Sequence, residues 1–304
     1  MEVNSFLTGK RGVSLPFTDY CDPIIDGGVS FLDLFYKIIE FGKKLNWKYI
    51  ELRGAPKPPP QSSVLAPHSL PRHPQPVTRN GSFVPFVTYL GHSLDLTRGE
   101  EEIFSSLRDS TRRNIKKAMA QGVEVKISRD SEAIKEFYRL NCMTRKQHGL
   151  PPQPNHFFQK VYDHIISKGL GFVTLASHKD KNIAGAIFFH FGDNAIYKYG
   201  ASDKIFQDLR ANNLVMWEGI KWFCKHGDKS LCFGRTELEH TGLRQFKTGW
   251  GTEKYTLSYF KYDLRRMEFA TTQNRINAFG TRLFQRMPIP VLNLAGSILY
   301  RHMG

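Results

Sequence analysis

Two cations in the stretch FGRTELEHTGLRQFKTGWG (233–251) invite a chemical reading. Arg235 follows a short apolar strand pattern, so it leaves a strand end, where open α/β sheets place their ligands. Lys247 reads as part of the long loop toward the next strand. A cation so placed either holds a phosphate or opposes charge that develops on an oxygen. The plainer alternatives are an Arg235 ion pair with Glu237 or Glu239 and a solvated Lys247. Upstream, Arg108, Arg112 and Lys116 recur every fourth residue, with Arg113 and Lys117 beside them. A helix there carries a basic face, which is a solvated surface or a grip for phosphates. Glu218 is a single carboxylate on a helix pattern, a general base or a surface charge. Tyr199, Ser202 and Asp203 cluster at the end of a strand pattern.

Other chemistries are excluded by what is missing. No G-x-x-x-x-G-K-[ST] phosphate loop, no G-x-G-x-x-G after a strand, no G-x-S-x-G elbow and no H-E-x-x-H occurs. The four cysteines form no C-x-x-C pair and sit among apolar neighbours, as small buried thiols do. His148, His156, His190 and His240 are scattered, and no metal is expected. The net charge of +15 points to acidic partners: nucleic acid, a phosphorylated donor or an anionic lipid surface. No apolar run approaches the roughly 20 residues of a membrane span.

The elements that must carry these residues follow from periodicity. Phe31–Leu45 reads as a helix and Trp47–Leu52 as a strand. The proline-rich stretch 55–80, with eight of the 16 prolines between Pro56 and Pro76, reads as an exposed insertion. A hairpin is expected at 83–97, turning at Gly91-His92. One long helix should follow, capped by Thr97 and ended by Gly122. Strand 123–127, helices 131–148 and 155–168, an antiparallel meander of strands 171–177, 183–191 and 195–199, helix 212–226, and strands 230–233 and 254–262 complete the order. The compact solution is an α/β fold, a mixed and largely antiparallel sheet with flanking helices. The tail 265–304 holds six Arg and one Glu but no Asp or Lys. Its end, PIPVLNLAGSILYRHMG, reads as a short apolar helix that docks on the body or meets an anionic membrane.

Three segments in this order resemble the FemAB-like branch of the GNAT superfamily: STRRNIKKAMAQGVEV (110–125), YKYGASDKIFQDLRANNLVMWEGIKW (197–222) and FGRTELEHTGLRQFKTGWG (233–251). SLPFTDYCDP (14–23) is similar to a segment of that family's first GNAT domain. The resemblance implies a partial GNAT-like domain in residues 1–98, short at its N-terminus and carrying the insertion, with an exposed strand edge at Trp47–Leu52 or SLPF. It implies a GNAT acyltransferase domain in 99–266 and a basic helical tail in 267–304.

The implied activity is transfer of an acyl or aminoacyl group, from acyl-CoA or aminoacyl-tRNA, to an amine of a peptidoglycan or polysaccharide precursor. The implied setting is the cytoplasm, with peripheral contact at the inner face of the membrane. Such transfer needs donors facing an oxyanion and no covalent nucleophile. On this resemblance Lys247, Arg235, Tyr199 and Glu218 are the catalytic candidates. Arg113, Asn114, Lys116, Arg145, Ser202, Asp203, Arg210, Asn212, Phe246 and Trp250 are the substrate- and donor-binding candidates. One departure concerns the donor: where GNAT enzymes carry a glycine-rich pyrophosphate loop, this chain reads Gln207-Asp208-Leu209-Arg210-Ala211-Asn212-Asn213, leaving Arg210 and a helix N-terminus to hold phosphate. The rival reading is a non-catalytic basic module that grips nucleic acid or phosphate.

Overall fold

A computed structural model describes residues 1–6, 8–25, 28, 30–54, 84–271 and 278–302. The insertion expected at 55–80 lies outside the described residues. In chain order the elements are β1 (Glu2–Ser5), β2 (Gly9–Val13), α1 (Phe31–Lys44), β3 (Tyr49–Arg53), β4 (Val87–Asp95), α2 (Gly99–Ser106), α3 (Asp109–Ala120), β5 (Glu124–Ser128), α4 (Ser131–Gln147) and α5 (Asn155–His164). There follow β6 (Gly171–His178), β7 (Lys181–Phe191), β8 (Asn194–Ser202), α6 (Ala211–His226), β9 (Ser230–Cys232), β10 (Thr236–Glu237), α7 (Thr241–Thr248), β11 (Glu253–Asp263), β12 (Glu268–Phe269), α8 (Ala278–Arg286) and α9 (Ile289–Leu299). The chain forms two compact units. One is Met1–Leu90 with Thr256–Arg275 and Arg301–Gly304; the other is Gly91–Tyr255 with Ile276–Tyr300.

In the first unit β3 is parallel to β2 on one side and antiparallel to β11 on the other. The edge expected at Trp47–Leu52 is therefore paired on both sides, because β11, more than 200 residues downstream, returns to it. SLPF is not a strand; β2 ends at Val13. Helix α1 starts where the Ser30 hydroxyl accepts the Asp33 N–H at 3.1 Å. Its Phe35 and Ile39 pack on Trp47, Ile50, Phe260 and Tyr262.

The second unit carries the expected antiparallel meander β6-β7-β8, joined on one edge by β5 antiparallel to β6 and extended on the other by β9 parallel to β8 and β4 antiparallel to β9. Alternation sends successive residues to opposite faces. Phe172 and Phe188 join one core with Ile115, Trp217 and Phe223 of α3 and α6. Val173 and Ile187 join another with Phe137 and Phe158 of α4 and α5.

Two expected elements differ. The hairpin at 83–97 is one strand in the described part, β4, which runs through Gly91 and His92. A Cβ at Gly91 would strike the Tyr255 ring, and His92 is fully buried, so this glycine serves close approach and not a turn. The long helix is two helices, because Leu107 (ψ 147°) and Arg108 (ψ 140°) are extended. Leu107 is buried there and the Arg108 N–H donates to the Gly249 carbonyl at 3.0 Å. The Thr97 hydroxyl bonds Asp95 Oδ1 at 2.6 Å and caps nothing; Arg98 holds the N-cap position. A smaller difference is that α5 stops at His164 and a 3-10 turn continues it over Ile166–Lys168.

The tail docks on the body of its unit. Leu292 and Gly296 of α9 are buried, and Asn293 Oδ1 lies 3.4 Å from Cys142 Sγ of α4. From α8, the Gln285 amide donates to the Gln147 carbonyl at 3.1 Å.

Candidate active site

The site begins where the sheet opens. The parallel ladder between β8 and β9 runs from Asn194↔Ser230 only to Ile196↔Cys232. Beyond it β8 continues to Ser202, while the chain leaving β9 turns through Gly234, whose φ of 69° suits glycine. Two walls of an opening result, one ending at Ser202 and the other at Gly234-Arg235.

On the β8 wall a recess of about 180 Å³ is lined by Ser202, Asp203, Phe206, Arg210, Asn212 and Phe246 among others. Ser202 is fixed by its backbone: its N–H donates to the Thr144 hydroxyl at 2.8 Å, and that hydroxyl donates to the Ser202 carbonyl at 3.0 Å. The Asn212 amide then donates to Ser202 Oγ at 3.1 Å. Asp203 is buried; its carboxylate caps the 3-10 turn Lys204–Leu209 through the Ile205 N–H and pairs with Lys181 at 3.4 Å. Arg210 takes the left-handed region (φ 58°) and is the residue from which the 16-residue α6 starts. The positive end of a helix dipole and a guanidinium thus share one recess, a setting for a negatively charged group.

On the other wall Lys247 lies in α7, a helix where a loop was expected; a His240 ring nitrogen caps it by accepting the Leu243 N–H at 3.2 Å. Lys247 is only 3% exposed. Its ammonium donates to the Gly234 carbonyl at 2.9 Å and to the Arg235 carbonyl at 3.0 Å. The lysine therefore clips α7 to the turn that carries Arg235. Phe246, next to it, lines the recess, and Trp250 is fully buried 6.0 Å from the Phe246 ring. The start of α3 abuts the end of α7: a Cβ at Gly249 would meet Thr111 Oγ1 at 2.5 Å, and Arg108 Nη2 donates to Thr248 Oγ1 at 3.4 Å. A second, basic groove there is lined by Asp109, Arg112, Arg113 and Lys116, with Asn114 half-buried on the same helix. Arg108, being outside the helix, drops out of that stripe.

Three expected residues lie elsewhere. Tyr199 packs among Phe157, Phe158 and Phe189 on the α4–α5 face of the sheet, opposite the face that receives Trp250 and Phe246. Glu218 pairs with Lys221 at 2.7 Å and lines a separate groove with Glu100 and Trp222. Arg145 donates through Nε and Nη2 to the Pro151 carbonyl, and burial lowers its pKa.

Phe206 and His92 carry no functional signal in the sequence. Phe206 stands in a polar stretch with no periodicity to mark it; Lys181 Nζ lies 4.6 Å from its ring centroid. His92, beside a glycine, is turn chemistry by residue type. Buried in β4, its imidazole is held down to about 4 by burial and then by Lys247, Lys254 and Arg244, so it is neutral at pH 7. Neither of its ring nitrogens has a hydrogen-bond partner among the described residues.

The site is thus an anion-suited recess at a helix start, in a mixed α/β sheet with helices on both faces. Residues 105–255 match the family described as acetyltransferase (GNAT) domain. The chain is similar to the lipid II:glycine glycyltransferase of Staphylococcus haemolyticus (strain JCSC1435), 22% identical over 227 residues, covering 52% of this chain and 54% of that protein. It thus spans about half the length of this curated relative. Among solved structures, FemX shares 18% identity with a TM-score of 0.57, over 77% of this chain and 76% of that one. The C-terminal domain of a putative lysylphosphatidylglycerol synthetase from Agrobacterium fabrum shares 11% with a TM-score of 0.53, over 90% and 80%. These structural likenesses concern the fold.

Proposed function

We propose that this protein transfers an aminoacyl or acyl group to an amine of a cell-envelope precursor. The observation that carries the reading is the recess at the start of α6, where Ser202, Arg210, Asn212 and Phe246 meet beside the helix of Lys247. Arg210 and the α6 N-terminus hold a donor phosphate, and the amide-hydroxyl pair Asn212–Ser202 orients the group to be moved. Lys247 and the turn it fixes at Gly234-Arg235 supply positive charge toward the carbonyl oxygen as it becomes an oxyanion. A neutral amine attacks the carbonyl carbon directly; the bond from that carbon to the donor's oxygen or sulfur breaks, and the proton lost by the amine ends on the released donor hydroxyl or thiol, so no covalent enzyme intermediate forms.

Aminoacyl-tRNA is the favoured donor over acyl-CoA for two reasons. The pyrophosphate loop of the GNAT family is without glycines here, at 207–213. The basic groove of Arg112, Arg113 and Lys116 adjoins the Lys247 helix and suits a longer polyanion. The relative from Staphylococcus is named for glycine transfer to lipid II, which supports a peptidoglycan precursor as acceptor. The enzyme of this reading works in the cytoplasm, with its tail at an anionic membrane surface. The test supplies a lipid II-type acceptor with radiolabelled glycyl-tRNA or with acetyl-CoA and follows label in the product. Transfer from the tRNA donor supports the reading. Tight, salt-sensitive tRNA binding with no transfer from either donor would favour the non-catalytic module instead.

A further inference from the structure

Helix α9, IPVLNLAGSIL, contains no charged residue, and apart from Asn293 and Ser297, one turn apart on one stripe, its side chains are apolar. A helix with so wide an apolar surface calls for cover on more than one side. The protein covers one side only. Leu292 is 0% exposed, Gly296 is buried so closely that a Cβ would strike the Pro152 carbonyl, and Tyr300 just beyond the helix meets the Phe157 ring at 5.2 Å. Val291, Leu294 and Ile298 are 47%, 64% and 47% exposed. At about 100° per residue these three fall within about 60° of one another, on the side away from Leu292 and Gly296. On the preceding helix α8, Leu283 is 52% exposed, and Arg282 and Arg286 are exposed as well.

We propose that the face Val291–Leu294–Ile298, with Arg282 and Arg286, rests on the surface of an anionic lipid bilayer. The charge pattern selects this occupant. From Phe269 to Gly304 the chain has four arginines and not one acidic residue. An exposed apolar stripe on a segment rich in arginine and free of acid matches acyl chains beneath anionic headgroups. A second copy of the same segment would instead bring one arginine-rich segment against another. At 11 residues α9 is about 16 Å long, half the bilayer core, so it lies in the interface and does not cross. Among the described residues no helix is long and apolar enough to span. The inference rests on the tail contact named in the proposed function and not on the reaction, so the two fail separately.

The test sediments the full chain with vesicles of phosphatidylcholine alone and with vesicles in which about a third of the lipid is phosphatidylglycerol. Wild type is expected to bind the anionic vesicles, less so as salt rises. Leu294→Gln with Ile298→Gln should lower partitioning about ten-fold or more, with an unchanged melting temperature because both side chains face solvent. Arg282→Gln and Arg286→Gln should each remove about five-fold, on anionic vesicles only. Wild type that ignores anionic vesicles, or binds them no better than the Leu294/Ile298 double variant, overturns the inference. So does self-association that the double variant abolishes in the absence of vesicle binding, which assigns the face to a second copy.

Discussion

Lys247→Met is the most informative single change at the site. The substitution keeps most of the side-chain length and removes the ammonium. Its two donations, to the carbonyls of Gly234 and Arg235, are charge-assisted bonds of 2.9 and 3.0 Å in a setting only 3% exposed. Such bonds are worth about 1.5–3 kcal/mol each, and both carbonyls would lose this donor. Removing a desolvated cation returns part of that cost. The net destabilisation expected is about 2–4 kcal/mol, or a fall of roughly 5–15 °C in melting temperature. Turnover, measured well below the variant's own melting temperature, should fall about 100-fold or more if the charge faces the oxyanion. If the charge holds the donor's phosphate, KM rises while kcat holds. Scanning calorimetry and steady-state transfer kinetics on the same preparation separate the effects. A variant that melts within about 1 °C of wild type would refute the clip between α7 and the 234–235 turn. Wild-type kinetics with the true donor and acceptor would put the reaction elsewhere.

Other outcomes follow from the same geometry. Arg210→Gln should raise KM for the donor about ten-fold with little change in kcat, since the guanidinium stands at the helix start and not at the reacting carbon; an unchanged KM removes Arg210 from donor binding. His92 has its folded-state pKa lowered from the ordinary 6.5 to about 4, so below pH 6.5 the unfolded chain gains a proton that the folded one refuses. The stability this burial allows is present above pH 6.5 and lost as pH falls toward 4. His92→Leu should flatten that part of the stability–pH curve in urea titrations, and an unaltered curve would show that His92 is not the titrating group. Gly296→Val should lift α9 from Pro152, because the obstructing atom is a backbone carbonyl and cannot swing aside. Hydrogen exchange over 289–299 would then rise sharply, while equal protection would mean the tail docks by other contacts.

Much of the architecture was legible in local pattern. The 3.6-residue periodicity of α1, α4 and α6 and the short polar links between β6, β7 and β8 mark these elements at nearly their observed bounds. The motif Tyr197–Trp222 likewise named the segment that supplies Ser202, Arg210 and Asn212 to the recess, because one strand, one turn and one helix start carry all three. Composition alone also gave the tail its two faces of interpretation, apolar helix and basic flank.

Tertiary structure decided what local pattern leaves degenerate. Gly91-His92 is turn chemistry by residue type, yet Tyr255 lies against the glycine and the imidazole is buried, so the strand continues. The pattern of 97–122 suits one helix, but burying Leu107 and bonding Arg108 to Gly249 break it in two. Lys247 is a surface residue to any sequence scale. Only the fold of 234–248 surrounds its ammonium with two carbonyls that outweigh water. Tyr199 and Ser202 are three residues apart in one strand, and the pleat sends them to opposite faces, one into aromatic packing and the other into the recess. Residue type and order set which elements form and what chemistry they carry; which side chains face a common space depends on strand register and helix packing between segments distant in the chain.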